Sequence, residues 1–311
     1  MIAGTLLAVL PNITTLYSVY DYGKFSTRGP SELTVKQASS GLDKDYATDW
    51  SYGIAETMTL LIPDFMGGAS QKTLDHNSAT YKALVQNAGE GQAQQFVKSA
   101  PLYWGDQPST AGPTYVGAIV IFLFILGLLL IREIDKWWLL TATVLSILLA
   151  WGKNFQFFTD LFFDHFPGYN KFRAVSMTLI IAEFTMPFLG LLGLKKILDG
   201  TVPFRESKQA ILRSTFISGG ICILFLLLPS LFGLSGKVDD NFKEYPWLLE
   251  ALKEDRATAM RIDAFRSLFF IVSAAVLIYF TIQNKIQKQV LYLSIGGLLL
   301  LDMWTDRKSV V

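Results

Sequence analysis

Four long stretches of this chain carry no charged residue at all: 114–131, 137–152, 214–236 and 267–284. An uncharged run of 18 residues rises about 27 Å as a helix, enough to cross the hydrocarbon core of a bilayer. Lipid offers no partner to an open backbone N–H or C=O, so runs of this kind must fold as helices. Two further runs, 174–194 and 289–303, are apolar enough to join them, the first interrupted by Glu183. The expectation is an all-α multi-pass membrane protein with six to seven transmembrane helices. Composition agrees: 17% of residues are charged and 51% hydrophobic, against about 25% charged in soluble proteins.

Three regions follow. Residues 1–20 read as a membrane helix whose beginning lies upstream, because only the first ten are strongly apolar before Pro11-Asn12, and no basic leader or cleavage site precedes them. Residues 21–113 are polar, with turn signals at Arg28-Gly29-Pro30, Gly67-Gly68 and Gly105-Asp106-Gln107-Pro108 and recurring aromatics. That mixture predicts a structured loop on the membrane surface. Residues 114–311 form the multi-span domain, with an interfacial helix near 155–166.

Alternation of the spans puts 132–136, 195–213 and 285–288 on one side, with nine Lys/Arg in 28 residues. The other side, 153–173 and 237–266, has nine in 51. The denser side is assigned to the cytoplasm. Residues 21–113, 153–173 and 237–266 are then extracytoplasmic.

Chemistry concentrates on that outer side. If Phe155–Phe166 is helical, Phe155, Phe158, Phe162 and Phe166 share one face, while Gln156, Asp160 and Asp164 take the opposite one. Asp160 and Asp164 stand one turn apart and repel unless a proton, a cation or a basic side chain intervenes. They are candidate catalytic residues and candidate ligands for a divalent metal ion, with Lys153, Asn154, Lys171 and Arg173 beside them as candidate phosphate or substrate contacts. The competing reading is an amphipathic surface helix with solvated acids.

Glu183 lies about 15 Å deeper by helical rise, where a carboxylate is costly unless neutral, paired or facing a wet cavity. It is a third catalytic candidate, or a protonated side chain bonded between helices beside Pro187. In the polar loop Asp43, Asp45, Asp49 and Glu56 surround Tyr46, Trp50 and Tyr52, a mixture suited to sugar stacking; Asp49, Trp50 and Asp106 are its substrate-binding candidates.

Several chemistries drop out. His76 and His165 are the only histidines and Cys222 the only thiol, which excludes histidine- or cysteine-based zinc sites and intrachain disulfides. Neither a Walker A nor a GxGxxG motif occurs. A net charge of +1 with no basic stripe argues against nucleic acid.

Six blocks carry a resemblance: Ser26-Thr-Arg-Gly-Pro-Ser-Glu-Leu33, Trp50-Ser-Tyr-Gly53, Ile62-Pro-Asp-Phe-Met-Gly-Gly68, Tyr103-Trp-Gly-Asp-Gln-Pro108, Trp151-Gly-Lys-Asn154 and Phe166-Pro-Gly-Tyr-Asn-Lys-Phe-Arg173. In that order they resemble the Bacteroidetes branch of the YfhO-family bacterial membrane proteins, over nearly the whole chain. That family is similar to the GT-C glycosyltransferases. The resemblance implies a GT-C-like fold in the bacterial cytoplasmic (inner) membrane, taking a sugar from a polyprenyl-phosphate carrier to an acceptor in the cell envelope. Members are longer than this chain, so the resemblance also implies a fragment. Their principal catalytic acid usually lies in the first outer loop, and no residue here matches it by motif. A transporter or flippase, with Glu183 on its pathway, and a non-catalytic membrane scaffold are the other two expectations.

Overall fold

The computed structural model describes residues 9–23, 25, 26 and 42–307. The first eight residues of the 1–20 segment and residues 27–33 of the first resemblance block lie outside the described residues. Among those described, the chain is helical, with one isolated β-bridge between Lys72 and Ala100. The main helices are α1 (Ile13–Gly23), α2 (Ala79–Ala88), α3 (Glu90–Phe96), α4 (Ala118–Leu130), α5 (Ile134–Ala150), α6 (Gln156–His165), α7 (Leu179–Leu198), α8 (Phe204–Leu227), α9 (Pro246–Ile282) and α10 (Lys288–Arg307).

Among the described residues, three helical segments are long and apolar enough to cross a membrane, namely Val175–Leu198, Phe204–Leu227 and Pro246–Ile282. A fourth arises if Ile134–Ala150 and Gly152–His165 count as one span broken by a 110° bend. The bend falls at Gly152, whose φ of +48° lies where a side chain is disfavoured. Run length alone overstates the helix after residue 114. Gly117, at φ +111°, delays its start, and α4 has 13 residues, about 20 Å. It is the buried centre of the bundle, with Ile119, Phe122 and Leu126 fully enclosed.

Close packing here rests on glycine. A Cβ on Gly193 would stand 2.6 Å from Gly127 Cα, and one on Gly190 would stand 2.8 Å from Leu123 Cβ. Helices that lack a hydrophobic drive to associate in lipid gain from this backbone approach. The outward faces are apolar: Phe184, Leu191, Phe216, Phe269 and Leu293 are all exposed. Apolar exposure on this scale marks a surface that meets something other than water, and with the long apolar helices it makes this a membrane protein.

The largest departure from expectation is α9. Residues 237–266 were expected as a loop before a span at 267–284, but Pro246–Ile282 is one 37-residue helix, about 55 Å long. Its charged first half projects past the apolar part and carries the preceding segments. The Asp255 carboxylate accepts from Ala79 N–H and Thr80 N–H at 2.9 and 2.8 Å, capping α2. Arg256, fully buried, donates to Leu102 O, Pro101 O, Leu234 O and both oxygens of Asp239. Asp263 accepts from Asp64 N–H, and Ser267 Oγ donates to Leu61 O.

Two polar layers result. At one end Tyr52 N–H bonds Ala150 O, Leu42 N–H bonds Asn170 O, and Ser176 N–H bonds Trp50 O, sewing 42–52 to 150–176. At the other, Lys196 pairs with Glu133 at 2.5 Å, Arg132 pairs with Glu206 at 2.6 Å, and Lys288 Nζ donates to Leu198 O. Segments assigned to one side by charge counting thus gather at one end.

Candidate functional site

Where 42–113, 151–155 and 237–242 meet, they enclose a cavity of about 450 Å³. Two carboxylates, Asp49 and Asp106, and two ammonium groups, Lys153 and Lys237, line it together with Tyr103 and Trp104. Each arrives from a different local device. Lys153 is held at the Gly152 bend, where its N–H bonds Ser51 Oγ at 2.8 Å and its Nζ lies 3.6 Å from Asp49. Asp106 sits in the turn after Tyr103-Trp104-Gly105, and Lys237 opens the 3₁₀ turn Lys237–Phe242. Trp104 is 7% exposed, and its indole N–H is buried with no protein partner.

Glu56 stands behind this wall at 2% exposure. One oxygen accepts from Tyr103 OH at 2.7 Å and Gln107 Nε2 at 3.0 Å, the other from Gly53 N–H at 2.9 Å. Burial pushes its carboxyl above the usual carboxylate range, against those three hydrogen bonds, and the Asp106 charge adds to the rise. A Cβ on Gly53 would meet Asp106 Oδ2 at 2.7 Å and Glu56 Oε2 at 3.2 Å. Both carboxylates thus lie close to the Gly53 backbone. Burial likewise raises the Tyr52 and Tyr103 phenols, so both remain neutral donors.

Next to the cavity, Arg173 lies between two rings, 4.2 Å from the Tyr46 centroid and 4.4 Å from that of Trp50, and donates to Tyr46 OH at 2.8 Å. Stacking fixes the guanidinium without using a carboxylate partner.

Of the residues singled out by sequence, Asp49, Asp106 and Lys153 converge in the cavity, and Trp50 and Arg173 stack beside it. Asn154 Nδ2 donates to Tyr52 O at 2.9 Å, a positioning contact. Lys171 closes the 3₁₀ turn Tyr169–Lys171. The aromatic ladder of α6 forms as its spacing requires, with Phe155–Phe158, Phe158–Phe162 and Phe162–Phe166 centroids 5.6, 5.1 and 5.8 Å apart. Asp160 pairs with Lys44 at 2.5 Å and Asp164 is exposed. Among the described residues no three His, Cys, Asp or Glu side chains gather as metal ligands. Glu183 is exposed on the second turn of α7, one turn beyond Leu179, which packs under Tyr52. Lys237, Gln107 and Trp104 were missed as site residues, and Glu56, counted among the acids of the polar loop, was not carried into the substrate-binding candidates.

No family model, curated protein or solved structure matches this chain.

Proposed function

We propose that the cavity binds the phosphate-sugar head of a polyprenyl-linked donor, and that the chain belongs to a GT-C-like glycosyltransferase of the bacterial inner membrane, with the cavity on the extracytoplasmic side. The observation that carries this reading is the convergence, at one end of an apolar helical bundle, of two carboxylates, two ammonium groups and the side chains of Tyr103 and Trp104. Aromatic rings with carboxylates suit a sugar, and lysines suit its phosphate. The quoted blocks from Trp50 to Gly53, Tyr103 to Pro108 and Trp151 to Asn154 all contribute to this one place. The proposal keeps six to seven membrane helices for the assembled protein, counting α4, α10 and the first segment with the spans described.

In the reaction, an acceptor hydroxyl attacks the anomeric carbon and its proton passes to Asp106. The bond from that carbon to phosphate oxygen breaks, and the leaving polyprenyl phosphate keeps the electron pair while Lys153 and Lys237 offset its charge. Glu56 holds Tyr103 and Gln107 against Asp106. Asp160, paired with Lys44, and Asp164, exposed on α6, stay outside the proton-transfer step.

Transfer from a synthetic polyprenyl-phosphate sugar, measured for the full chain in lipid nanodiscs, tests this. Asp106→Asn is expected to lower the rate by about a hundred-fold or more with the fold retained, the scale of a lost general base. An unchanged rate would remove Asp106 from the chemistry. A second reading, a flippase, rests on Glu183, a carboxylate on an exposed face of a spanning helix. It is favoured instead if Glu183→Gln, and not Asp106→Asn, stops movement of the lipid across the bilayer.

A further inference from the structure

A second, larger opening lies on the other side of the cavity wall. It has a volume of about 1030 Å³, at the top of the ~300–1,000 Å³ range usual for ligand pockets. Two helices face each other across it. α2 contributes Ala79, Lys82 and Gln86, and the projecting half of α9 contributes Trp247, Glu250, Glu254 and Thr258. Neighbours such as Ala83, Ala251, Lys253 and Ala257 line it as well, so the opening runs along a broad strip of each helix. The frame is rigid, because Asp255 caps α2 and Arg256 ties α9 to Pro101 and Leu102.

We infer that this cleft holds a neutral, polyhydroxylated chain, and that it is the acceptor site of the proposed transferase. Three lysines (72, 82 and 253) face four carboxylates (Asp75, Glu250, Glu254 and Asp255). That balance offers no net attraction to a polyanion. A lipid tail is equally excluded by so many charges. Several of these groups are already used: Lys72 pairs with Asp64, Lys253 with Glu250 at 3.2 Å, and Asp255 with the α2 N-terminus. What faces the opening is therefore an alternation of donors and acceptors, with the Trp247 ring at one end. Hydroxyl groups, each both donor and acceptor, satisfy such a lining, and a sugar face stacks on indole.

The position supports the role. Lys72, Leu102 and Leu234 line the cleft, whereas Ser70, Tyr103 and Lys237 line the cavity. The dividing wall is one to three residues of backbone, roughly 4–10 Å. A chain lying in the cleft can turn its end over that wall toward Asp106. This assignment rests on the transferase reading for its purpose, but its binding test needs no donor.

The test is saturation-transfer NMR on the full chain in nanodiscs, using neutral hexasaccharides of glucan, mannan and galactan type and a sulfated hexasaccharide as polyanion. At least one neutral hexasaccharide is expected to bind. Gln86→Trp, which fills the cleft, and the double change Lys82→Ala with Glu254→Ala are each expected to weaken it about ten-fold or more. All three side chains are exposed, so the variants keep the fold. The inference is overturned if no neutral hexasaccharide binds, if only the sulfated one does, or if the cleft variants bind as the parent does. Binding without any sugar transfer from the polyprenyl donor would instead leave the cleft standing and sink the transferase reading.

Discussion

Glu56 shows how much of the site a single residue can organise. Its carboxyl collects three donors from positions 53, 103 and 107 and sits within reach of Asp106. Because burial raises its pKa, the folded chain retains this proton to a higher pH than the unfolded chain does. The associated stability is present below the ordinary carboxylate range and is lost as pH rises through the folded value. Replacing Glu56 with Gln removes the titration at the cost of one hydrogen bond to Gly53 N–H, about 1 kcal/mol. Unfolding midpoints in detergent between about pH 4 and pH 8 should fall more steeply for the parent than for Glu56→Gln. Parallel curves would show that Glu56 does not titrate in that window. Asp49 and Asp106 were legible from sequence because acids next to aromatics in turns suggest ligand contact. Glu56 stood in the same acid-aromatic cluster, but its burial and its bonds were not legible, since they depend on Tyr103 and Gln107, 47 and 51 residues further along.

Among the elements, α9 decides the architecture. Hydropathy reads its uncharged second half and stops at the charges between 250 and 266, which look like loop. They are the helix's anchoring face: Asp255, Arg256 and Asp263 each hold backbone from the preceding polar segment. Helical spacing by itself could not reveal this, because the partners are up to 199 residues away. Arg256 is the strongest of these fastenings. Its guanidinium pairs with Asp239, itself 8% exposed, so Arg256→Ala leaves a buried carboxylate uncompensated, a loss of about 3–5 kcal/mol. Limited proteolysis should then cut between residues 70 and 110 in the variant while the membrane helices remain intact. Equal protection of parent and variant would mean that α9 does not carry the outer layer. By contrast, α6 was readable in advance, because the three contacts of its ring ladder follow from a local 3.6-residue period.

At the scale of the whole molecule, charge counting and alternation sorted the loops into two sets, and each set meets at one end of the bundle. The polar end holds a cavity and a cleft separated by a short wall, and the cavity is lined by residues of two of the quoted blocks, Tyr103 to Pro108 and Trp151 to Asn154. What could not be read was which acids share a space, since that depends on three segments folding over the projecting half of α9. The central claim is that the cavity at this end takes the head of a polyprenyl-phosphate sugar. Photocrosslinking with a polyprenyl-phosphate sugar carrying a photoreactive group on the sugar ring, mapped by peptide mass spectrometry on the full chain in nanodiscs, tests it most directly. Adducts should concentrate within 49–56, 103–108 and 237–241 and be competed away by unlabelled donor. Competed adducts confined to the face around Glu183, with none in those three segments, would contradict the claim.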